Sequence, residues 1–297
     1  MKKLTTLILL ITITVVANTS YGQRKISKEK TPEELRQEQD EKARGWLLGL
    51  NMGMIIPASY SANFYNGSES NMNKISLILD NQYYRPIIEA RIGGEGIIKS
   101  YTLPTNMSYS PSMSVGFYAR YNQNARSAWF VQFNYQKLKA NDVFFINLNK
   151  PDISFEANYI QCPIIGQEER TNIDFGYMRN YPINETMDFL LETGLNFSNT
   201  KVLKNMISIE DLEYSIKYTG NHPEGPYSTN NSYDIRQGGI GIGAFIGSGV
   251  MLKFNENISL DPIASLYWSQ TNLEGYNAFK PSFMFFARFV FRNFMNL

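Results

Sequence analysis

Residues 45–56, GWLLGLNMGMII, place a large apolar side chain at every second position: Trp46, Leu48, Leu50, Met52, Met54 and Ile56. The residues between are mostly small or polar, with Leu47 and Ile55 as exceptions. A strict period of two belongs to a β-strand with two unlike faces. The alternation returns in seven later segments: SMSVGFYARY, AWFVQFNYQ, NIDFGYMRNY, DFLLETGLNF, GGIGIGAFIGSGVMLKF, ISLDPIASLYW and SFMFFARFVFRNF. Eight two-faced strands restrict the chain to an all-β fold. The open question is whether the apolar faces meet a protein core or lipid.

The other face answers it. It is rich in glycine and carries Arg120, Asp174, Asp188, Glu192, Lys253, Asp261, Arg288 and Arg292. On a solvated face the glycines would have no purpose. Inside a closed eight-stranded barrel, where side chains just fill the lumen, glycines make room for long neighbours and opposite charges can pair. The apolar face then meets hydrocarbon. Trp46, Tyr121, Trp129, Tyr135, Tyr177 and Trp268 sit towards the strand ends, as interfacial aromatics do.

The connections alternate in the same sense. Those at 122–127, 182–186 and 254–259 are tight, polar and Asn-rich, suited to hairpin turns. Those at 58–110, 141–167, 200–236 and 271–280 are longer. Short turns at one end and long loops at the other are expected of a membrane barrel, with the turns periplasmic and the loops extracellular. The expected fold is therefore an all-β, eight-stranded antiparallel up-and-down transmembrane β-barrel. Residues 72–92 leave short helices and an extra hairpin both open, and an extra hairpin would raise the strand count to ten.

The N-terminus has the order of a secretory signal: MKK, then an apolar stretch from Leu4 to Ala17, then small Ser20 and Gly22 before a cut at Gln23. Fourteen mildly apolar residues are too few to span a bilayer as a helix. Residues 1–22 are thus read as signal peptide, 23–44 as a charged periplasmic segment and 45–297 as the barrel. The charged segment has a helix start at Thr31, with Pro32 in the first helical position. The last strand is dense in phenylalanine, including Phe289, Phe291 and Phe294, as terminal strands of outer-membrane barrels are.

Composition excludes several chemistries. A net charge of +1 gives no bulk attraction to nucleic acid. One cysteine, Cys162, and one histidine, His222, rule out an intramolecular disulfide and a multi-histidine or cysteine metal cluster, so no metal or cofactor is expected. Asp188 and Glu192 share a strand face about 13 Å apart, too far for paired acid–base work. The glycine run at 238–249 lies within a strand and lacks the helix of a phosphate-binding loop. His222, with Ser228, Ser232 and Asp234 nearby, allows a rim hydrolase or acyltransferase to be written down. Any long polar loop would offer as much, and a non-enzymatic protein is expected.

The segments LLGLNMGM, NYIQCPIIG at 158–166, LLETGLNFSNTKVL at 190–203 and GGIGIGAFIGSG at 238–249, with the signal ending SYGQ, resemble the outer-membrane β-barrel proteins of Bacteroidota, the group that includes the PorT-like family. The resemblance covers most of residues 45–297. It implies an outer-membrane location, an eight-stranded barrel and, for PorT-type members, service to the type IX secretion pathway. The functional expectation is a monomeric structural or accessory envelope barrel surrounded by outer-membrane lipid and acting through protein partners. The alternatives are a solute-passage barrel of ten or more strands and the rim enzyme.

Overall fold

The computed structural model describes residues 31–149, 158–218, 236–255 and 257–292. The signal segment, His222, Ser228, Ser232, Asp234 and Phe294 lie outside the described residues. The chain divides into two compact units, one up to Lys42 and one from Ala43 onward. In the first, helix α1 (Pro32–Ala43) starts at a capping box: the Glu34 amide donates to Thr31 Oγ1 at 3.3 Å, and the Thr31 amide donates to Glu34 Oε2 at 2.8 Å. None of its residues is buried.

The second unit is one antiparallel sheet of eleven strands: β1 (Gly45–Ile56), β2 (Ile98–Thr102), β3 (Ser108–Tyr109), β4 (Ser112–Asn124), β5 (Ser127–Leu148), β6 (Tyr159–Pro182), β7 (Met187–Ile209), β8 (Leu212–Ser215), β9 (Ile240–Lys253), β10 (Ile258–Gln270) and β11 (Phe279–Arg292). Eight of them, β1, β4, β5, β6, β7, β9, β10 and β11, each pair with two neighbours in a circuit that the β5–β6 pairing closes. The three short strands stand outside it: β2 and β3 pair with β5, and β8 pairs with β7. The sheet thus holds three strands more than the sequence segments suggested, all in stretches read as loops.

The register fixes the shape. Following partners round the ring from Ile56, through Phe283, Leu266, Ile246, Thr193, Tyr177, Trp129 and Tyr121, returns to β1 at Trp46, ten residues from the start. With about 3.3 Å per residue and 4.8 Å between strands, a stagger of ten over eight strands tilts them by about 40°. An interior of that size accommodates side chains and little else.

Three strands run past the ring's apolar band, and there the two faces exchange character. On β5, Gln132, Asn134 and Gln136 are buried while Trp129, Val131, Phe133 and Tyr135 are exposed. Two residues further on, Lys137, Lys139 and Asn141 point outward, and Leu138, Ala140, Phe144 and Ile146 are buried. β7 makes the same exchange, from Asn196, Ser198 and Thr200 inside to Val202, Ile207 and Ile209 inside. The expected loops at 141–167 and 200–236 are therefore largely strand where described. The alternation continues through them with the opposite polarity.

The inverted section forms a cap whose inward side chains are apolar. The connection from β1 to β4 folds over it, with a 3-10 helix (Ser59–Tyr65), helices α2 (Ser76–Leu79) and α3 (Tyr84–Ile92), and strands β2 and β3. Ile75, Ile78, Leu79 and Ile88 are buried in the same cluster as Ile164, Ile207 and Tyr214. Tyr84 meets Tyr214 edge-on at 5.5 Å, and Arg91 closes a bidentate pair with Asp211 at 2.5 and 2.7 Å. Cys162 is buried here. Burial pushes its thiol up to about 12, which keeps it protonated and unreactive.

Candidate functional site

The barrel interior stacks charged and polar levels with aromatic and aliphatic side chains between them. At the short-turn end, Lys253 Nζ meets Asp188 Oδ1 at 2.7 Å, and Arg120 Nη1 meets Asp261 Oδ2 at 3.3 Å. Ser259 donates to the other oxygen of Asp261 at 2.8 Å. Lys253 and Arg292 sit at the rim, half-exposed, while the other six residues of the charged set are buried. The sequence grouped all eight together, and the structure distributes them over successive levels.

In the middle, Arg288 grips Glu192 with its two terminal guanidinium nitrogens, at 2.7 and 3.0 Å. Both side chains are essentially inaccessible, at 1% and 0%. The guanidinium also lies over the rings of Tyr118 and Phe130, at 4.6 and 5.4 Å. From there a line of rings crosses the lumen: Tyr118 to Phe130 at 5.6 Å, Phe130 to Phe245 at 6.0 Å, and Phe245 stacked on Tyr267 at 5.1 Å. The glycines make room for these rings. A Cβ on Gly176 would come within 2.6 Å of the Phe130 ring, and one on Gly194 within 2.9 Å of the Phe245 ring. The long neighbours expected from the sequence are here aromatic rings.

Asp174 is held differently from the other buried carboxylates. It accepts from Tyr267 Oη at 2.8 Å, Asn196 Nδ2 at 2.6 Å and Asn134 Nδ2 at 3.3 Å, and Asn51 in turn donates to Asn134. Among the described residues it has no ion-pair partner. Three donors at hydrogen-bond distance satisfy its oxygens in place of a cation.

At the loop end the 3-10 helix closes the lumen. Glu168 accepts from Tyr65 Oη at 2.5 Å, Tyr109 Oη at 3.1 Å and Arg170 Nε at 2.6 Å. Arg170 also donates to Ser61 Oγ at 3.2 Å and stands 5.3 Å over the Tyr109 ring. Burial and the Glu168 carboxylate raise the Tyr65 hydroxyl well above its ordinary range, so it remains a donor. The sequence reading did not find this cluster. Its only local trace is Glu168 and Arg170 two apart on an inward face, and Tyr65 is 103 residues from Glu168.

The proposed interfacial aromatics all lie on the outer face. Trp46 and Tyr121 pack at 5.3 Å near the short-turn end, and Trp129 and Tyr177 at 5.1 Å one strand further round. Tyr135 and Trp268 stand towards the loop end, where Tyr135 Oη donates to Glu169 at 2.8 Å. Among the described residues no group of three or more His, Cys, Asp or Glu side chains is arranged to hold a metal.

No protein-family model matches the chain, and no curated protein does. Solved structures similar to it include the N-terminal β-barrel domain of OprF from Pseudomonas aeruginosa, at 9% identity and a TM-score of 0.36 over 84% of this chain and 97% of that one. The outer membrane protein OprG from the same organism matches at 7% identity and a TM-score of 0.37, over 85% and 95% of the two chains. Ail, the attachment invasion locus protein of Yersinia pestis, matches at 11% identity and a TM-score of 0.29, over 82% and 98%. These likenesses are too distant to carry an argument about function. The all-β antiparallel fold stands on the strand pairings themselves.

Proposed function

We propose that the chain is a closed outer-membrane β-barrel with its short turns in the periplasm and its cap outside. It acts as a non-enzymatic structural or accessory component of the envelope, through the cap or through protein partners. The eight strands of the closed circuit form the membrane part, and β2, β3 and β8 belong to the cap. The observation that carries this reading is the exchange of face polarity at Tyr135–Lys137. Below it, the outward residues Trp129, Val131, Phe133 and Tyr135 are apolar and the inward Gln132, Asn134 and Gln136 polar; above it, the outward Lys137, Lys139 and Asn141 are polar and the inward Leu138, Ala140, Phe144 and Ile146 apolar. A chain surrounded by water throughout has no cause to invert its faces partway along an unbroken strand.

The size of the apolar band supports the same conclusion. Every strand of the ring contributes at least two large apolar side chains with 37% exposure or more. Together they expose on the order of 2,000 Å² of apolar surface, against the few hundred Å² in one patch on a soluble monomer. From Trp46 to Ile56 the band rises about 25 Å along the barrel axis at the tilt derived above, the height of an outer-membrane hydrophobic belt. A role in secretion, as the resemblance to PorT-like proteins implies, is one form this accessory function takes.

Folded protein from an outer-membrane fraction is expected to migrate faster on a detergent gel unheated than after boiling. A soluble protein without such a shift would overturn the membrane reading. The filled lumen disfavours solute passage. In a planar bilayer the protein is expected to show no steady ohmic conductance, since the Arg288–Glu192 level and the Tyr65–Glu168 level each close the interior. Stable single-channel steps would instead favour a passage barrel.

A further inference from the structure

One stretch of the outer wall differs from the rest. Just above the apolar band, β5, β6 and β7 carry two outward-facing rows. Lys137, Glu169 and Lys201 are hydrogen-bond-register partners in the first, and Lys139, Gln167 and Lys204 in the second. Arg236 joins them from the segment beside β7, where its guanidinium donates to Asn199 Oδ1 at 2.6 Å. Five cations thus share a small area with one carboxylate, on a chain whose net charge is +1. The carboxylate is already engaged: Glu169 accepts from Tyr135 at 2.8 Å and stands 3.9 Å from Lys201. Lys137, Lys139 and Lys204 have no ion-pair partner among the described residues. The four lysines are exposed.

Their level is set by the strands. Tyr135 ends the apolar band on β5, and Phe197 ends it on β7. Lys137 follows Tyr135 by two residues and Lys201 follows Phe197 by four, so the ammonium groups stand within roughly 15 Å of the hydrocarbon edge. That is the headgroup layer. Lysines flanking a hydrophobic span at this depth attract anionic lipid. Neighbours along a strand are about 7 Å apart, and Lys137 and Lys201 are separated by two strand spacings, about 10 Å. More than one ammonium can therefore reach the same phosphorylated headgroup.

We infer that this patch is a binding site for the phosphate groups of lipid in the leaflet around the cap, with the acyl chains lying against the apolar wall below. The inference rests on the membrane reading above. It goes further by assigning the side of the barrel that holds the lipid and the chemistry that holds it. Sequence periodicity does not assign the lysines to a face; both their outward position and their clustering come from the register of three strands.

The test is native mass spectrometry of the full-length, folded protein titrated with phosphatidic acid and with phosphatidylcholine. Phosphatidic acid is expected to bind roughly tenfold more tightly. The K137Q/K139Q/K201Q/K204Q variant should lose this preference and retain the heat-dependent gel shift. The matching Lys→Arg variant should keep both. R126Q/R179Q, at the opposite end, should leave the preference unchanged. If the fourfold Gln variant does not fold, K137Q/K139Q and K201Q/K204Q are each expected to weaken the preference severalfold. Inorganic phosphate at the same concentration should not displace the lipid. Absence of the preference in the parent protein, its persistence in folded Gln variants, or displacement by inorganic phosphate would overturn the proposal. A parent protein that shifts on heating yet shows no lipid preference refutes this site alone. One that shows no shift refutes the membrane reading beneath it.

Discussion

Replacing Glu192 with leucine is expected to destabilise the folded barrel by about 3–5 kcal/mol. The reason lies in what stays behind. Arg288 projects from β11 into the lumen, is 1% exposed, and donates its two short hydrogen bonds to Glu192 alone. Leucine fills similar space but leaves a guanidinium away from water with ring faces as its nearest compensation. Breaking a buried pair by removing one partner is far costlier than replacing both with apolar residues. The double variant E192L/R288M should therefore recover most of the loss. Urea unfolding in detergent micelles, followed by tryptophan fluorescence, reads both. A single-variant loss below about 1 kcal/mol would be typical of a solvated pair, and would mean that water reaches this level of the lumen.

The ring was legible in the sequence because each of its strands keeps one polarity over the stretch that crosses the band. Trp46 to Ile56 reads as a two-faced strand with no knowledge of its neighbours, and so does Phe283 to Phe291. The upper halves of β5, β6 and β7 were not legible as strands, although the backbone continues unbroken. Around Lys137, an apolar residue moves from the odd positions to the even ones, so a window spanning the switch averages its two faces to nothing. The switch is itself a sequence signal: odd-numbered Trp129 to Tyr135, then even-numbered Leu138, Ala140, Phe144 and Ile146, is, on the membrane reading proposed above, a strand leaving one solvent for another. The interior charges were recognisable as inward residues, since parity fixes the face. Their partners were not, because Arg120 and Asp261 are 141 residues apart and meet through a ring closure that no local pattern encodes. For the same reason the cap's closure of the lumen, through Tyr65 and Glu168, was invisible.

That closure yields the second large effect. Gly166→Ala is expected to undock the 3-10 helix from the lumen while leaving the barrel intact. A Cβ at this position would lie 2.1, 2.4 and 2.7 Å from the Cγ, Cδ1 and Cβ of Tyr65, far inside van der Waals contact. Strand β6 cannot yield, because Gly166 is paired on both sides, with Ala140 of β5 and Asn205 of β7. Tyr65 must therefore move. Its ring is completely buried, and its hydroxyl holds Glu168 beside Arg170, so displacing it abandons packing and hydrogen bonding together. Losing a buried aromatic side chain from its site costs about 3–5 kcal/mol, more than a short helix without a side-chain cap can absorb locally. Trypsin sites in the cap, at Lys74 and Arg91, should become cleavable in the variant under conditions where the parent resists. The heat-dependent gel shift should persist, since the apolar band and the Arg288–Glu192 level lie below the change. Parent-like protease resistance would show that the cap is held by its own core, Ile75, Ile78 and Ile88 against Ile164 and Ile207, and that Tyr65 is dispensable for docking. Loss of the gel shift as well would show that the cap and the membrane barrel fold as one cooperative unit.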